Sequence, residues 1–238
     1  MKLYKNNESI QDKDIMFAVA SNTISITILF LPRYITEHTV SSDGWIAILF
    51  GGLIALLLGW ILAKIAVSFP NEPFLSFASY LVSKPVAVIL CFIFVFQYII
   101  ISSFQMREMA TLSQEYFFDR TPLEVVCLAF ILVVIYAVSG SRMAIFKLNI
   151  LFFPFVVGGL ILLIIAPMWA IKLENLLPVF QTDFKGLQSG TISSLNAFLG
   201  FGIVLFYISL IKKPEKAAKM TVLGILFPFT FYIIIFII

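Results

Sequence analysis

The chain has 238 residues, of which 61% are hydrophobic and only 12% charged. That balance excludes an ordinary soluble domain and describes an all-α integral membrane protein. The formal charge of +3 speaks to membrane topology and not to a nucleic-acid partner.

A hydrocarbon core about 30 Å thick takes about 20 apolar residues per helix. Seven runs meet that need, at Ile15 to Leu31, Trp45 to Val67, Pro85 to Leu112, Leu123 to Val138, Leu148 to Ala170, Leu187 to Ile211 and Ala217 to Ile238. They are continuously apolar, without the alternation of membrane strands, so the chain reads as a helical bundle of about seven transmembrane helices. Short connections make residues 1–238 one transmembrane domain.

Polar residues interrupt the first run at Ser21, Asn22, Thr23 and Ser25. In the second, Ala47, Gly51, Ala55, Gly59 and Ala63 recur every fourth residue, a ridge of small side chains on which another helix can approach closely. The third carries Tyr98, Ser102 and Gln105 on one face, at i, i+4 and i+7. Arg107 and Glu108 fall near its outer end, as snorkelling anchors or with Glu108 at the mouth of a site. Cys91 and Cys127 lie at opposite depths of the bilayer, so a disulfide between them is not expected. Lys147 opens the fifth run as an interfacial anchor. The sixth is interrupted by Ser193, Asn196, Gly200 and Gly202, and the Gly200-Phe201-Gly202 stretch lowers helix propensity and bares backbone groups.

Basic residues fix the orientation, because Lys and Arg collect in cytoplasmic loops. With the N-terminus inside, eleven fall on the inner side: Lys2, Lys5, Lys13, Lys64, Lys84, Arg142, Lys147, Lys212, Lys213, Lys216 and Lys219. Five fall outside: Arg33, Arg107, Arg120, Lys172 and Lys185. The N-terminus is expected in the cytoplasm, with no cleavable signal after the first run.

A polar group without a partner is costly in hydrocarbon, so the stripes on the first, third and sixth helices must face protein or water. Serine and threonine hydroxyls can simply bond back to their own helix, and Asn can bridge two helices. Polar clusters in two helices half a chain apart also fit discontinuous helices around a site at the membrane midplane. Catalysis finds no support: there is no zinc-protease motif, no phosphate-binding glycine loop, no deep carboxylate pair, and His38 is the lone histidine. No cofactor or metal is expected.

Several short motifs stand in order around these runs: Leu31-Pro32-Arg33 ending the first helix, Asp43-Gly44-Trp45 opening the second, and Phe69-Pro70 after it. Arg107-Glu108 ends the third, Thr121-Pro122 opens the fourth, Leu176-Leu177-Pro178 precedes the sixth and Lys212-Lys213-Pro214 follows it. With these the chain resembles the spore germinant-receptor B subunits of the amino acid-polyamine-organocation transporter superfamily. The resemblance implies a LeuT-like amino-acid-permease fold of two inverted repeats, about ten helices in all, of which this chain would hold the first repeat and part of the second. It implies a midplane site for an amino acid-like germinant at the first and sixth breaks. Carried over, the breaks fall on Ser21 to Ser25, with Asn22 where relatives usually have glycine, and on Asn196 to Gly202. The third-helix wall falls on Tyr98 and Ser102, and Phe201 and Tyr98 would set selectivity. It further implies a spore inner-membrane receptor with a larger A subunit and a lipoprotein C subunit. An amino-acid transporter and a non-binding assembly subunit are the alternatives.

Overall fold

The computed structural model describes residues 10–24, 27–70, 72–170 and 177–238, and among these it is helical throughout. In chain order the helices are α1 (Asp12–Ile24), α2 (Thr27–Thr36), α3 (Gly44–Val67), α4 (Phe74–Leu81) and α5 (Lys84–Tyr116). They continue as α6 (Leu123–Val138), α7 (Arg142–Ile165), α8 (Phe184–Ala197), α9 (Val204–Tyr207) and α10 (Ala217–Ile237). Of these, α3, α5, α7 and α10 are each long and apolar enough to cross a membrane unbroken. Two bent pairs, α1 with α2 and α8 with the segment Leu199–Leu210, raise the number to six if each pair is one span. The chain is thus a helical membrane protein with four to six candidate spans among the described residues, and α6 is a shorter apolar helix of 16 residues.

The expected runs for α3, α6 and α10 match their helices within a residue. Others need correction. Pro32 was expected to close the first span, yet α2 runs through it to Thr36. Proline lacks only one donor, and the Thr36 hydroxyl bonds back to the carbonyls of Pro32 and Arg33, both at 3.0 Å. Arg107-Glu108 does not end the third span, because α5 continues to Tyr116; charged residues beyond the apolar run still form good helix. The fifth begins earlier, at Arg142, for the same reason. The small helix α4 was not anticipated, being eight residues that bury only Phe74, Phe77 and Ala78. Lys2, Lys5, Lys172 and Leu176 lie outside the described residues.

The chain divides into two compact units, Met1–Asn71 with Phe146–Ile238, and Glu72–Ile145. In the first, α3 is the axis. Every member of its predicted small-residue ridge, Ala47, Gly51, Ala55, Gly59 and Ala63, is buried. A side chain on Gly44, Gly52 or Gly59 would collide with Phe236, Phe229 or Ile225 of α10, so the large residues of α10 occupy the space that these glycines leave. Toward α8, a Cβ on Gly51 would stand 2.6 Å from Ser194 Oγ and 3.0 Å from the Leu195 nitrogen. Helix α10 returns the arrangement to α1, where a Cβ on Gly224 would stand 2.8 Å from the Met16 carbonyl oxygen. Association in lipid depends on such close packing, because apolar burial alone gains little there. Phe153 joins α7 to this unit, with ring centroids 4.9 Å from Phe17 and 5.5 Å from Phe227.

Two polar ties complete the first unit. Ile10 donates to the Leu210 carbonyl at 2.8 Å and accepts from the Lys212 nitrogen at 3.0 Å, so the chain before α1 is fastened to the end of the sixth run. Asp43, buried just before α3, accepts from the backbone nitrogens of Phe180 and Thr182, each at 2.7 Å. This grip holds Phe180 at φ 62, a left-handed conformation costly for a bulky residue. The Thr182 hydroxyl accepts from the Val40 nitrogen at 2.8 Å. Burial pushes the Asp43 carboxyl up, but the Thr182 and Phe180 backbone N–H groups and the Thr182 hydroxyl outweigh it and hold the group below its ordinary range.

The second unit is plainer. Phe74 of α4 meets Phe94 of α5 edge to face at 5.4 Å, and Gln114 at the end of α5 donates to the Thr121 carbonyl at 2.8 Å across the turn to α6. Among described residues α5 buries only Ala87 and Ala110, and α6 only Val126. Cys91 and Cys127 are both free thiols.

Candidate functional site

Helix α1 ends at Ile24, and α2 resumes at Thr27 inclined by 49°. Helix α8 ends at Ala197; after Phe198 the chain winds as a 3₁₀ turn over Leu199–Ile203, and this second pair is bent by 40°. Of the predicted break at Ser21 to Ser25, the residues Ser21 to Ile24 are instead helical, as the last turn of α1, whereas the second interruption falls inside Asn196 to Gly202. Ser25 itself lies outside the described residues.

The last described turn of α1 touches the second interruption. Asn22 Nδ2 donates to the Gly200 carbonyl at 3.0 Å. Gly200 in turn stands so close to α1 that an added Cβ would lie 2.7 Å from both the nitrogen and the Oγ1 of Thr23. No side chain fits at such distances against backbone, so glycine here is a condition of contact between the two spans. A 3₁₀ turn at this place fits the glycine pair flanking Phe201, because neither glycine favours continuing the α-helix.

Three hydroxyls of α1 and α8 are unusual. Ser21 Oγ, Thr23 Oγ1 and Ser194 Oγ are buried without a hydrogen-bond partner among the described residues. Thr23 and Ser194 as whole residues are 1% and 0% exposed. Elsewhere in the unit the hydroxyls of Thr191, Thr221 and Thr230 each bond to the carbonyl four residues back. A buried hydroxyl left unpaired costs about 1–3 kcal/mol, so each of the three is a position that stability does not explain. Asn22 and Asn196 are exposed and Ser21, Ser193 and Gly200 half-buried, which gives the contact an open polar side.

The other sequence-predicted residues are placed differently. Phe201 is buried, with its ring beside Gly59 of α3, and Gly202 is also buried. Tyr98 is half-buried and Ser102 exposed on α5, in the second unit. Glu108 is half-buried and Lys147 exposed. Sequence reasoning missed Tyr232 on α10, whose hydroxyl donates to the Thr23 carbonyl at 2.7 Å and lies 3.4 Å from that of Ile24. A hydroxyl-bearing ring within the Phe-Tyr-Ile-Ile-Ile stretch was the available signal. Among the described residues no group of His, Cys, Asp and Glu could hold a metal ion.

The fold and this contact define a helical membrane protein whose last described turn of α1 meets the interruption after α8. The chain matches the profile of the spore permease family, described as spore germination protein, over residues 9–238, and it belongs to that family. It is 37% identical over 217 residues to spore germination protein GerLB of Bacillus cereus, covering 91% of this chain and 58% of that protein. Spore germination proteins YndE and B2 of Bacillus subtilis (strain 168) are 26% and 25% identical over 87% and 96% of this chain, and over 57% and 62% of their own lengths. The chain therefore spans about three-fifths of the curated relatives it matches. No solved structure matches it at a significant level.

Proposed function

We propose that the chain is the ligand-sensing membrane subunit of a spore germinant receptor, binding an amino acid-like nutrient where the first and sixth spans are interrupted. The observation that carries the reading is the contact of Asn22 and Thr23 with Gly200, where the buried Thr23 hydroxyl has no partner among the described residues. An amino acid offers a carboxylate and an ammonium, and freed helix ends supply backbone donors and acceptors for both. Ser21, Asn22, Thr23, Ser25, Asn196, Gly200, Phe201 and Gly202 form the site in this reading. The fold is then LeuT-like, the first inverted repeat with part of the second, its N-terminus cytoplasmic in the spore inner membrane. A larger A subunit and a lipoprotein C subunit are its partners, and the names of the relatives support a role in germination.

Asn196→Leu tests the site, because the exposed amide lies at the end of α8, on the polar side of the break. The expected result is protein at wild-type abundance with the half-maximal germinant concentration raised about tenfold, the worth of one lost hydrogen bond to a charged group. An unchanged dose response removes the site. Labelled amino acid taken up into vesicles, in place of binding alone, makes the protein a transporter instead.

A further inference from the structure

Beside the start of α3, a residue with an exposed ring is held in a costly backbone conformation. Phe180 has φ 62, a region that glycine and asparagine enter readily and a bulky side chain enters at a cost. Its ring does not offset that cost by packing, since the residue is 77% exposed. Polar groups fix it instead. The backbone N–H groups of Phe180 and Thr182 donate to the buried Asp43 carboxylate, each at 2.7 Å, and the Val40 nitrogen donates to the Thr182 hydroxyl at 2.8 Å. Backbone strain that its surroundings over-determine marks a place with a use. Leu177 and Phe184, 68% and 83% exposed, flank the strained residue.

The depth of these side chains follows from what holds them. Helix α3 has 24 residues and is about 36 Å long, slightly more than a hydrocarbon core of about 30 Å, so its first residues lie at a membrane boundary. Asp43 immediately precedes it, and Trp45, whose indole suits that level, is its second residue. The Phe180 backbone is one hydrogen bond from Asp43 and lies at the same level. Phe184 is the first residue of α8, which opens the second bent candidate span. Gln181, Asp183 and Lys185, all exposed, stand among the two rings. Such a mixture of apolar and charged groups suits a boundary that is wet on one side.

We propose that residues 177–184 form an interfacial anchor, with the Phe180 and Phe184 rings inserted among phospholipid acyl chains at the boundary where α3 begins. An exposed ring gains by leaving water, and the Asp43 grip fixes the backbone from which the Phe180 ring projects. The chain entering α8 is then held on two sides, by the buried carboxylate and by the bilayer. The anchor needs no ligand, so it stands whether or not the polar contact at Gly200 binds one.

The test begins with the wild-type protein in liposomes of phosphatidylglycerol and phosphatidylethanolamine, labelled by an aryl diazirine dissolved in the bilayer and mapped by peptide mass. Leu57, an exposed residue within α3, is the reference. Phe180 and Phe184 are each expected to take label at more than about one-fifth of the Leu57 yield, because an interfacial ring sits shallower than a residue within a span. A lower yield at either ring overturns the proposal, and no variant is needed to obtain it. The second arm places p-benzoylphenylalanine at position 180 and illuminates the full chain in its native membranes. Phospholipid adducts are expected to predominate. Adducts chiefly to a polypeptide make the loop a docking surface for a partner protein and overturn the lipid assignment.

Discussion

Helix α5 and the pair of interrupted spans carry similar polar residues and treat them in opposite ways. On α5, Ser103 and Ser113 return their hydroxyls to the carbonyls of Ile99 and Met109, at 2.7 and 2.8 Å. On α1 and α8, Ser21, Thr23 and Ser194 do not, although a carbonyl stands one turn behind each. The first arrangement spends the hydroxyl on its own helix and leaves nothing for a ligand. The second keeps three hydrogen-bonding groups in reserve, that of Thr23 beside a contact that admits no side chain. A hydroxyl in a membrane span is thus returned to its own helix or left unpaired, and α8 carries both, at Thr191 and at Ser194.

The strongest way to break that contrast is to force the interrupted spans apart. Gly200→Ala puts a methyl 2.7 Å from the Thr23 nitrogen, where backbone cannot yield cheaply. Overpacking of this kind costs about 3 kcal/mol. The expected outcome is a lower melting temperature in detergent and no measurable ligand response. A variant with wild-type melting and binding would show that the two spans need not touch.

Asp43 stands at the far pole from the orphaned hydroxyls, a buried side chain with every acceptor occupied. Its folded carboxyl titrates below its ordinary value, so the stabilisation it gives is full above the unfolded value and is lost as pH falls through the folded one. Melting temperatures of wild type and Asp43→Asn should therefore differ by a constant amount from neutral pH down to about pH 4, and converge below it. The gap above pH 4 should correspond to about 2 kcal/mol, as for charge-assisted hydrogen bonds. A gap that widens with acid would mean that the carboxylate is not the gripping form.

Asn22→Leu sharpens the comparison more gently. It removes the bond to the Gly200 carbonyl while leaving the glycine contact in place, a loss of about 1 kcal/mol. Ligand affinity should fall about fivefold with little change in melting temperature. An equal loss in both would make Asn22 a bridge between helices and nothing more.

How much of this was legible from residues alone depends on what each signal measures. The ridge from Ala47 to Ala63 could be read because small residues at a four-residue spacing have one structural use in a membrane helix. The interruption at Asn196 to Gly202 could be read because two glycines weaken the helix where they stand. Helix α4 was hidden, since eight residues are too few for periodicity to speak. Tyr232 was hidden for a different reason. Its role comes from the carbonyls of Thr23 and Ile24, which any residues at those positions would present, and a backbone acceptor leaves no mark on the sequence. Ser103 and Ser21 likewise look alike until the path of the chain is known.

That last pair sets the smallest effect. Ser103→Ala removes a hydroxyl that donates to the Ile99 carbonyl, on an exposed stretch of α5. The carbonyl keeps its place in the helix ladder, so the change should lie within about 0.5 kcal/mol and leave ligand affinity alone. Ser21→Ala deletes the same atoms from a half-buried position where the hydroxyl has no partner. Stability should rise slightly there, because an unpaired polar group has gone, while affinity falls. Opposite signs in melting and binding at Ser21, beside silence in both at Ser103, are what a reserved hydroxyl predicts. If the two serines behave alike in paired melting and binding measurements, the distinction between broken and continuous spans loses its functional meaning.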